Sequence, residues 1–193
     1  GGKRISQGTV FQTVKHLLLD TCVIYPTVMR EMLLGVAQAG AFQPFWSDRI
    51  LEEWARAARK IGPSGEAQAR GEVALLGAAW PRAEVAVAPR LEARLWLPDP
   101  ADIHVLSSAI AGSADMIITM NAKDFPRQIL AEEGIVRQDP DGFLHGLWQA
   151  QPEMMEHVGG MVLAEARRLS GEDWQMRPLM KKARLPRLAK ALS

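Results

Sequence analysis

The sequence predicts a three-layer α/β/α fold with a mostly parallel central sheet, followed by a helical C-terminal extension. Two patterns support this prediction: short apolar runs alternate with amphipathic helical stretches up to residue 138, and only helical stretches follow. Strands that alternate with helices imply a parallel sheet with helices on both faces. We therefore expect an N-terminal segment at residues 1–15, an α/β domain at 16–138 and the extension at 139–193.

Short apolar runs predict the strands. The first, HLLLD, is apolar throughout Leu17–Leu19, which is typical of a strand buried on both faces at the centre of a sheet. Further strands are predicted from the runs FQPFW at 42–46, AEVAVA at 83–88, DMIITM at 115–120 and IVRQ at 135–138.

Amphipathic stretches between these runs predict the helices. We expect Thr27 to cap the first long helix and Gly40 to end it, and we expect Ser47 to cap the next helix, DRILEEWARAARK. More helices are predicted at 66–80, 99–112 and 127–134, and two or three amphipathic helices in the extension.

Composition narrows the class of protein. Apolar residues make up 48% and charged residues 23% of the 193 residues, as in globular proteins and unlike disordered or coiled-coil chains. Neither a membrane-spanning run nor a secretory signal is present, so we expect a cytoplasmic protein without a membrane partner. Gly1 and Gly2 are interpreted as cloning residues, and the single cysteine, Cys22, excludes an intramolecular disulfide and a cysteine metal cluster.

Polar side chains follow two of the predicted strands at their carboxyl ends, where parallel sheets bind ligands. Asp20 ends the first run, and a buried carboxylate costs several kcal/mol unless it is paired or hydrogen-bonded. Asn121 and Asp124 follow DMIITM, and formation of a turn explains both residues equally well.

Two further acids lie on predicted helices. On a helical wheel Glu52 points to solvent and suits an i,i+4 ion pair with Arg56, whereas Glu53 borders the apolar stripe. Asp99 and Asp102 have a structural explanation as a helix cap and the acid of a capping box. The wheel nevertheless places Asp102 on the apolar face, so we interpret Asp99 as mainly structural and Asp102 as mainly functional.

Four acids from four segments are therefore expected to meet at one edge of the sheet: Asp20, Glu53, Asp102 and Asp124. Because like charges repel, such a cluster needs a cation, and oxygen ligands favour Mg²⁺ or Mn²⁺ over zinc. Metal-bound carboxylates suit phosphodiester hydrolysis. The histidines lack metal-ligand spacing, and His104 points away from the Asp102 face on the wheel, so none is assigned a catalytic role.

The motifs LLLDTCVIYP, WSDRILEEW, LPDPADIHVLSSAIAG and IITMNAKDFP resemble, in this order, the acidic motifs of PIN-domain ribonucleases. The resemblance is specifically to the VapC-type toxins of bacterial type II toxin–antitoxin pairs and covers about residues 16–138. It implies a Mg²⁺- or Mn²⁺-dependent endoribonuclease whose metal ligands and catalytic residues are Asp20, Glu53, Asp102 and Asp124. Thr119 and Asn121 match the final threonine and acidic loop, but many relatives carry aspartate where this chain has Asn121, so either Asn121 or Asp124 fills the fourth role.

The extension resembles the helical C-terminal region of one subgroup of these toxins. Its last stretch, Trp174–Ser193, holds six basic residues and no acid although the whole chain has a net charge of +1. These basic residues either contact RNA or a partner, or form a solvated helical face. The predicted contacts are Arg177, Lys181, Lys182 and Arg184. The resemblance further implies an RNA substrate and a cognate VapB-type antitoxin, and homodimers are common in the family.

Other classes of protein fit less well. Phosphatases of the haloacid dehalogenase type need a second aspartate where this chain has Cys22, and a nucleotide-binding fold needs a glycine-rich loop that DTCVIYP lacks. Two alternatives stay open: a non-catalytic PIN-like module that binds RNA or protein, and a PIN nuclease that acts in RNA processing.

Overall fold

A parallel sheet forms the centre of the molecule in the computed structural model, which describes residues 15–193. Its strand order is β2-β1-β3-β4, so β1 lies inside the sheet as predicted. The strands are β1 (His16–Leu19), β2 (Gln43–Phe45), β3 (Met116–Ile118) and β4 (Val136–Gln138). The predicted N-terminal segment lies outside the described residues, apart from Lys15.

Helices flank the sheet and confirm the three-layer α/β/α fold. The core is built on β1, whose Leu17, Leu18 and Leu19 are at most 1% exposed. The helices of this part of the chain are α1 (Thr21–Ile24), α2 (Thr27–Gln38), α3 (Asp48–Ala57), α4 (Gly65–Ala79), α5 (Pro89–Arg94), α6 (Ile103–Ala111) and α7 (Arg127–Glu132). Short 3-10 turns lie at Ala58–Ile61, Pro100–Asp102 and Ala122–Asp124.

The register of the sheet positions the candidate site. Leu19 pairs with Ile118, and Ile118 pairs with Gln138, all in parallel strands. The residues that follow these three strand ends therefore emerge at one edge of the sheet. Asp20 and Thr119 are two of them, so β1 and β3 deliver their polar residues to the same place.

The C-terminal extension folds into four helices, where two or three were expected. They are α8 (Pro140–Ala150), α9 (Pro152–Ser170), α10 (Met176–Lys182) and α11 (Pro186–Ala191). The last stretch is divided because Arg184 adopts a left-handed conformation, with φ 63°, and Pro186 then begins a new helix. The extension buries Met155 and Met180 in the same hydrophobic core as the α/β domain.

Two predictions of local secondary structure in the α/β domain were wrong. The run AEVAVA does not form a strand: it makes a single bridge, between Glu84 and Trp46, and Val87 is 70% exposed. Pairing stops after Val85 because β2 ends at Phe45 and α3 begins at Asp48, so only the start of the run, at Ala83, is buried. Thr27 does not cap α2 but is its first residue, and Pro26 precedes it without a side-chain capping bond.

Among residues 15–193, no helix is both long enough and apolar enough to cross a membrane.

Candidate active site

Asp20 lies at the end of β1 and caps α1 with its carboxylate. Its Oδ1 accepts a hydrogen bond from the backbone N–H of Thr21 at 2.8 Å, and its Oδ2 accepts from the Thr119 hydroxyl at 2.9 Å and from the Cys22 thiol at 3.5 Å. The side chain is buried, with 5% exposure. Burial raises the pKa of Asp20 above its ordinary value, although these hydrogen bonds act in the opposite direction. Neutral donors, rather than a cationic side chain, therefore hold this carboxylate.

Thr119 and Cys22 join the end of β3 to Asp20 and α1. Besides donating to Asp20, the Thr119 hydroxyl accepts a hydrogen bond from the backbone N–H of Asn121 at 3.0 Å. The Cys22 sulfur accepts from the backbone N–H of Met120 at 3.3 Å. Burial, followed by the charge of Asp20, raises the pKa of the Cys22 thiol to about 12. Cys22 is therefore a neutral structural partner of Asp20 and not a reactive thiolate.

Glu53 reaches the same edge from α3, as its position beside the apolar stripe predicted. The helix begins at Asp48 because the Ser47 hydroxyl accepts the backbone N–H of Ile50 at 3.1 Å, which confirms the predicted cap. The Thr21 hydroxyl donates to Glu53 Oε2 at 3.0 Å. Since Thr21 also donates its backbone N–H to Asp20, this one residue positions two of the four predicted acids.

His104 is a neighbour of Glu53 that sequence reasoning missed. Its Nε2 lies 2.7 Å from Glu53 Oε1, although the ring N–H is not aligned for a hydrogen bond, and the side chain is 4% exposed. Burial raises the pKa of Glu53, but the contacts with His104 and Thr21 outweigh burial and hold it below its ordinary value. The helical wheel did not reveal this contact because α6 is buried on nearly every side, from His104 to Ala109, so a residue away from the apolar stripe still packs against a neighbouring element.

Asp102 ends that 3-10 turn and is half-buried. Asp99 caps the turn by accepting the backbone N–H of Ala101 at 2.9 Å, whereas Asp102 makes no side-chain capping bond. Burial, followed by repulsion from Asp20, Asp124, Asp99 and Glu53, raises the pKa of Asp102 to about 6. The predicted acids therefore lie near enough to one another to interact.

Asn121 and Asp124 both lie in the turn after β3, but in different environments. Asn121 is exposed and precedes the 3-10 turn, whereas Asp124 is half-buried and contributes to the raised pKa of Asp102. The structure therefore brings Asp124 into electrostatic reach of Asp102, whereas Asn121 is a neutral, exposed residue of the same turn.

The chemistry of these side chains fits a divalent cation. Within residues 15–193, no Arg or Lys nitrogen lies within 4.0 Å of the carboxylates of Asp20, Glu53, Asp102 or Asp124. The available donors are carboxylate and hydroxyl oxygens, which Mg²⁺ and Mn²⁺ prefer. The same residues do not form a closed ligand cluster, because no group of three or more His, Cys, Asp and Glu in the described part of the chain has the arrangement of a metal site.

The basic residues predicted to contact RNA or a partner lie at the surface of the extension. Arg177, Lys181 and Lys182 are exposed on α10, and Arg184 is exposed in the turn after it. The Lys182 ammonium lies 5.1 Å from the centre of the ring of Trp174, which precedes α10, and the two side chains form a cation–π contact.

Comparison with known proteins identifies the α/β part of the chain. The family model for the PIN domain matches residues 16–123. This range includes Asp20, Glu53 and Asp102 and ends one residue before Asp124. No curated protein and no solved structure matches the chain. PIN domains are generally nucleases that use divalent metal ions. Because the match covers more than half of the chain and coincides with the parallel sheet and its acidic edge, the chain belongs to the PIN domain family.

Proposed function

We propose that this protein is a Mg²⁺- or Mn²⁺-dependent endoribonuclease that acts in the cytoplasm as the toxin of a toxin–antitoxin pair. Residues 16–138 form the nuclease domain and 139–193 the extension. The observation that carries the proposal is the group of four carboxylates at the carboxyl edge of the sheet. Within residues 15–193, no Arg or Lys nitrogen lies within 4.0 Å of these carboxylates. An uncompensated group of buried and half-buried acids is costly unless a cation binds there.

The residues have distinct roles in this proposal. Asp20, Glu53 and Asp102 hold the ion, and Asp124 completes the set directly or through water. A bound Mg²⁺ or Mn²⁺ lowers the pKa of a water molecule and neutralises charge on the phosphate. Thr119 and Thr21 orient Asp20 through hydrogen bonds of 2.9 Å and 2.8 Å, and Thr21 orients Glu53 in turn. Such supporting contacts keep ligating carboxylates in place.

A non-catalytic PIN module is the second candidate. It is favoured by the lack of a closed ligand cluster among the described residues. A binding module needs no divalent ion for its activity, so the two candidates differ in their response to metal and to loss of Asp20.

Induced expression in a bacterial host tests the proposal. We expect the parent chain to arrest growth and to generate discrete new 5′ ends in total RNA, and the Asp20→Asn variant to do neither. The matched control is Asp173→Asn, which removes one negative charge from a side chain that is 89% exposed; this variant should arrest growth like the parent. Co-expression of a VapB-type antitoxin should restore growth.

The purified chain provides the second half of the test. Cleavage of those RNAs should require Mg²⁺ or Mn²⁺ and stop in EDTA. If the soluble parent and Asp20→Asn were equally harmless, or if cleavage continued in EDTA, the metal-dependent nuclease would be rejected and the binding module preferred. Gel filtration of the same sample tests the expected homodimer.

A further inference from the structure

A cavity of about 240 Å³ opens beside the candidate active site, between the sheet and the C-terminal extension. Thr119 forms part of its wall and at the same time donates its hydroxyl to Asp20 at 2.9 Å. The wall also includes Arg127, Arg137 and Arg187. We call this cavity the arginine cleft. Its position places three guanidinium groups next to an edge that is otherwise acidic.

The arginine cleft is positively charged. Arg127 is the first residue of α7, Arg137 lies in β4 and Arg187 lies in α11, so three separate elements supply the charge. None of the three has an Asp or Glu partner within 4.0 Å in the part of the chain that the structure describes. Asp139 is the one acid in the wall, and its Oδ2 accepts the backbone N–H of Gly142 at 2.9 Å. The cleft therefore attracts an anion.

Tertiary contacts hold two of the arginines in place. Arg137 is half-buried and donates its Nε to the backbone carbonyl of Phe125 at 2.8 Å, next to Asp124. Arg187 is positioned through its backbone: its N–H donates to Asp141 Oδ2 at 3.0 Å, and the N–H of Leu188 donates to Asp141 Oδ1 at 3.0 Å. Asp141 is only 6% exposed. A buried carboxylate of α8 therefore fixes the start of α11, which carries Arg187, beside the cleft.

We propose that the arginine cleft binds a backbone phosphate of the RNA strand adjacent to the phosphodiester that is cleaved. This inference rests on the proposed function as a ribonuclease. The acidic edge repels the RNA backbone, so the strand needs a cationic contact close by. Guanidinium groups bind phosphate oxygens with two parallel hydrogen bonds, which fixes the position of a strand without reading its sequence.

The inference changes the role of the extension. The sequence pointed to Arg177, Lys181, Lys182 and Arg184 as contacts, but the cleft contains Arg187 instead. The extension thus completes the substrate site by adding one guanidinium to two that belong to the α/β domain.

RNA binding by the 193-residue chain tests this proposal. A short fluorescein-labelled single-stranded RNA of mixed sequence is titrated in EDTA, which prevents cleavage, at several salt concentrations. We expect Arg187→Gln and Arg127→Gln each to raise Kd about tenfold and to lower the slope of log Kd against log salt by about 0.7, as for the loss of one phosphate contact. In cleavage assays with Mg²⁺ the same variants should raise KM more than they change kcat.

Lys190→Gln is the matched control, because Lys190 lies exposed on the same helix, α11, and outside the cleft. It removes the same charge and should change Kd less than twofold. Equal Kd and salt slopes for all three variants, or no RNA binding by the parent, would overturn the inference. If Arg187→Gln abolished binding of a protein inhibitor but left RNA affinity unchanged, the cleft would be a protein site. A parent that binds RNA through these arginines but never cleaves it would instead contradict the proposed function.

Discussion

Glu52 and Glu53 are neighbours in α3, yet they belong to two regions with opposite electrostatics. Glu52 faces the outer surface, where its carboxylate lies 3.1 Å from Arg56 and 2.8 Å from Arg70. These arginines, Arg70 foremost, lower the pKa of Glu52 to about 2. Glu53 faces the sheet edge, where its contacts are Thr21 and His104.

The comparison distinguishes acids whose charge is balanced by arginine partners from acids whose carboxylates are available to bind a cation. In the outer region Glu66 is also paired, with Arg59 at 2.6 Å and Arg70 at 2.7 Å. At the sheet edge burial, followed by repulsion from the other acids, raises the pKa of Asp102, and none of these acids has an Arg or Lys nitrogen within 4.0 Å among residues 15–193. Repelling acids without a cationic side-chain partner are suited to bind a cation, which is why we assign chemistry to the second region.

The largest expected effect comes from Asp20. Asp20→Asn should lower metal-dependent RNA cleavage about 100-fold or more, because a ligating carboxylate contributes several kcal/mol to stabilisation of charge in the transition state. The fold should survive, since an asparagine oxygen can still accept the N–H of Thr21. Single-turnover cleavage with Mg²⁺ and a thermal melt of the same sample measure both effects. Full activity in a folded Asp20→Asn protein would show that the acids at the sheet edge do not differ in function from those of the outer surface.

The adjacent glutamates offer the sharpest internal control. Glu53→Gln should lower cleavage about 10- to 100-fold through weaker metal binding, whereas Glu52→Gln should leave activity unchanged and lower Tm slightly by removing exposed ion pairs. Titration of activity with Mn²⁺ distinguishes weaker metal binding from a slower chemical step. If both substitutions reduced activity equally, the sheet edge would not differ functionally from the outer surface.

His104 should have a smaller effect, through Glu53. His104→Leu removes the buried ring that lies 2.7 Å from Glu53 Oε1 and should reduce activity about tenfold by misplacing that carboxylate. His104→Gln, which restores a donor, should recover part of the loss. The concentration of Mn²⁺ needed for half-maximal activity should rise for His104→Leu. A fall in Tm without any change in this concentration would show a purely structural role.

The smallest effect concerns pH and stability. Burial and the neighbouring acids raise the folded-state pKa of Asp102 from 3.8 to about 6. Between these values the folded state binds more protons than the unfolded state, so in EDTA the stability contributed by this group increases as the pH falls from 7 to 4. Asp102→Asn should therefore raise Tm by a few degrees at pH 7 in EDTA and flatten this pH dependence.

Divalent ions should reverse the effect of Asp102→Asn on the melt. Mg²⁺ should raise the Tm of the parent at pH 7 more than that of Asp102→Asn, because binding to the folded state stabilises it and ligation needs the ionised acid. At subsaturating Mg²⁺, cleavage should decline as the pH falls through about 6, because protons compete with the ion for the Asp102 carboxylate. Identical Mg²⁺-induced shifts for the two proteins would show that Asp102 does not contact the ion.

Local patterns predicted part of the site well because each depends on nearby residues. The apolar run before Asp20 predicted a central strand, Ser47 predicted the start of α3, and the spacing of Glu52 and Arg56 predicted their ion pair. The run AEVAVA failed because its neighbour, β2, ends at Phe45, and alternation alone does not show how far a partner strand extends. The wheel missed the contact of His104 because α6 is buried on nearly every side, from His104 to Ala109.

The sequence by itself determined the four strands of the sheet, most of the helices between them and which acids follow the strand ends, because these features depend on short-range periodicity. The order of its acidic motifs indicated the family by resemblance. Tertiary structure alone decided that His104 contacts Glu53, that Thr21 joins two acids and that Asp141 fixes the helix of Arg187. The Thr21–Glu53, Asp141–Arg187 and Glu53–His104 contacts join residues 32, 46 and 51 positions apart through packing. Periodicity within a segment carries no information about which distant segment packs against it, so only the folded chain reveals them.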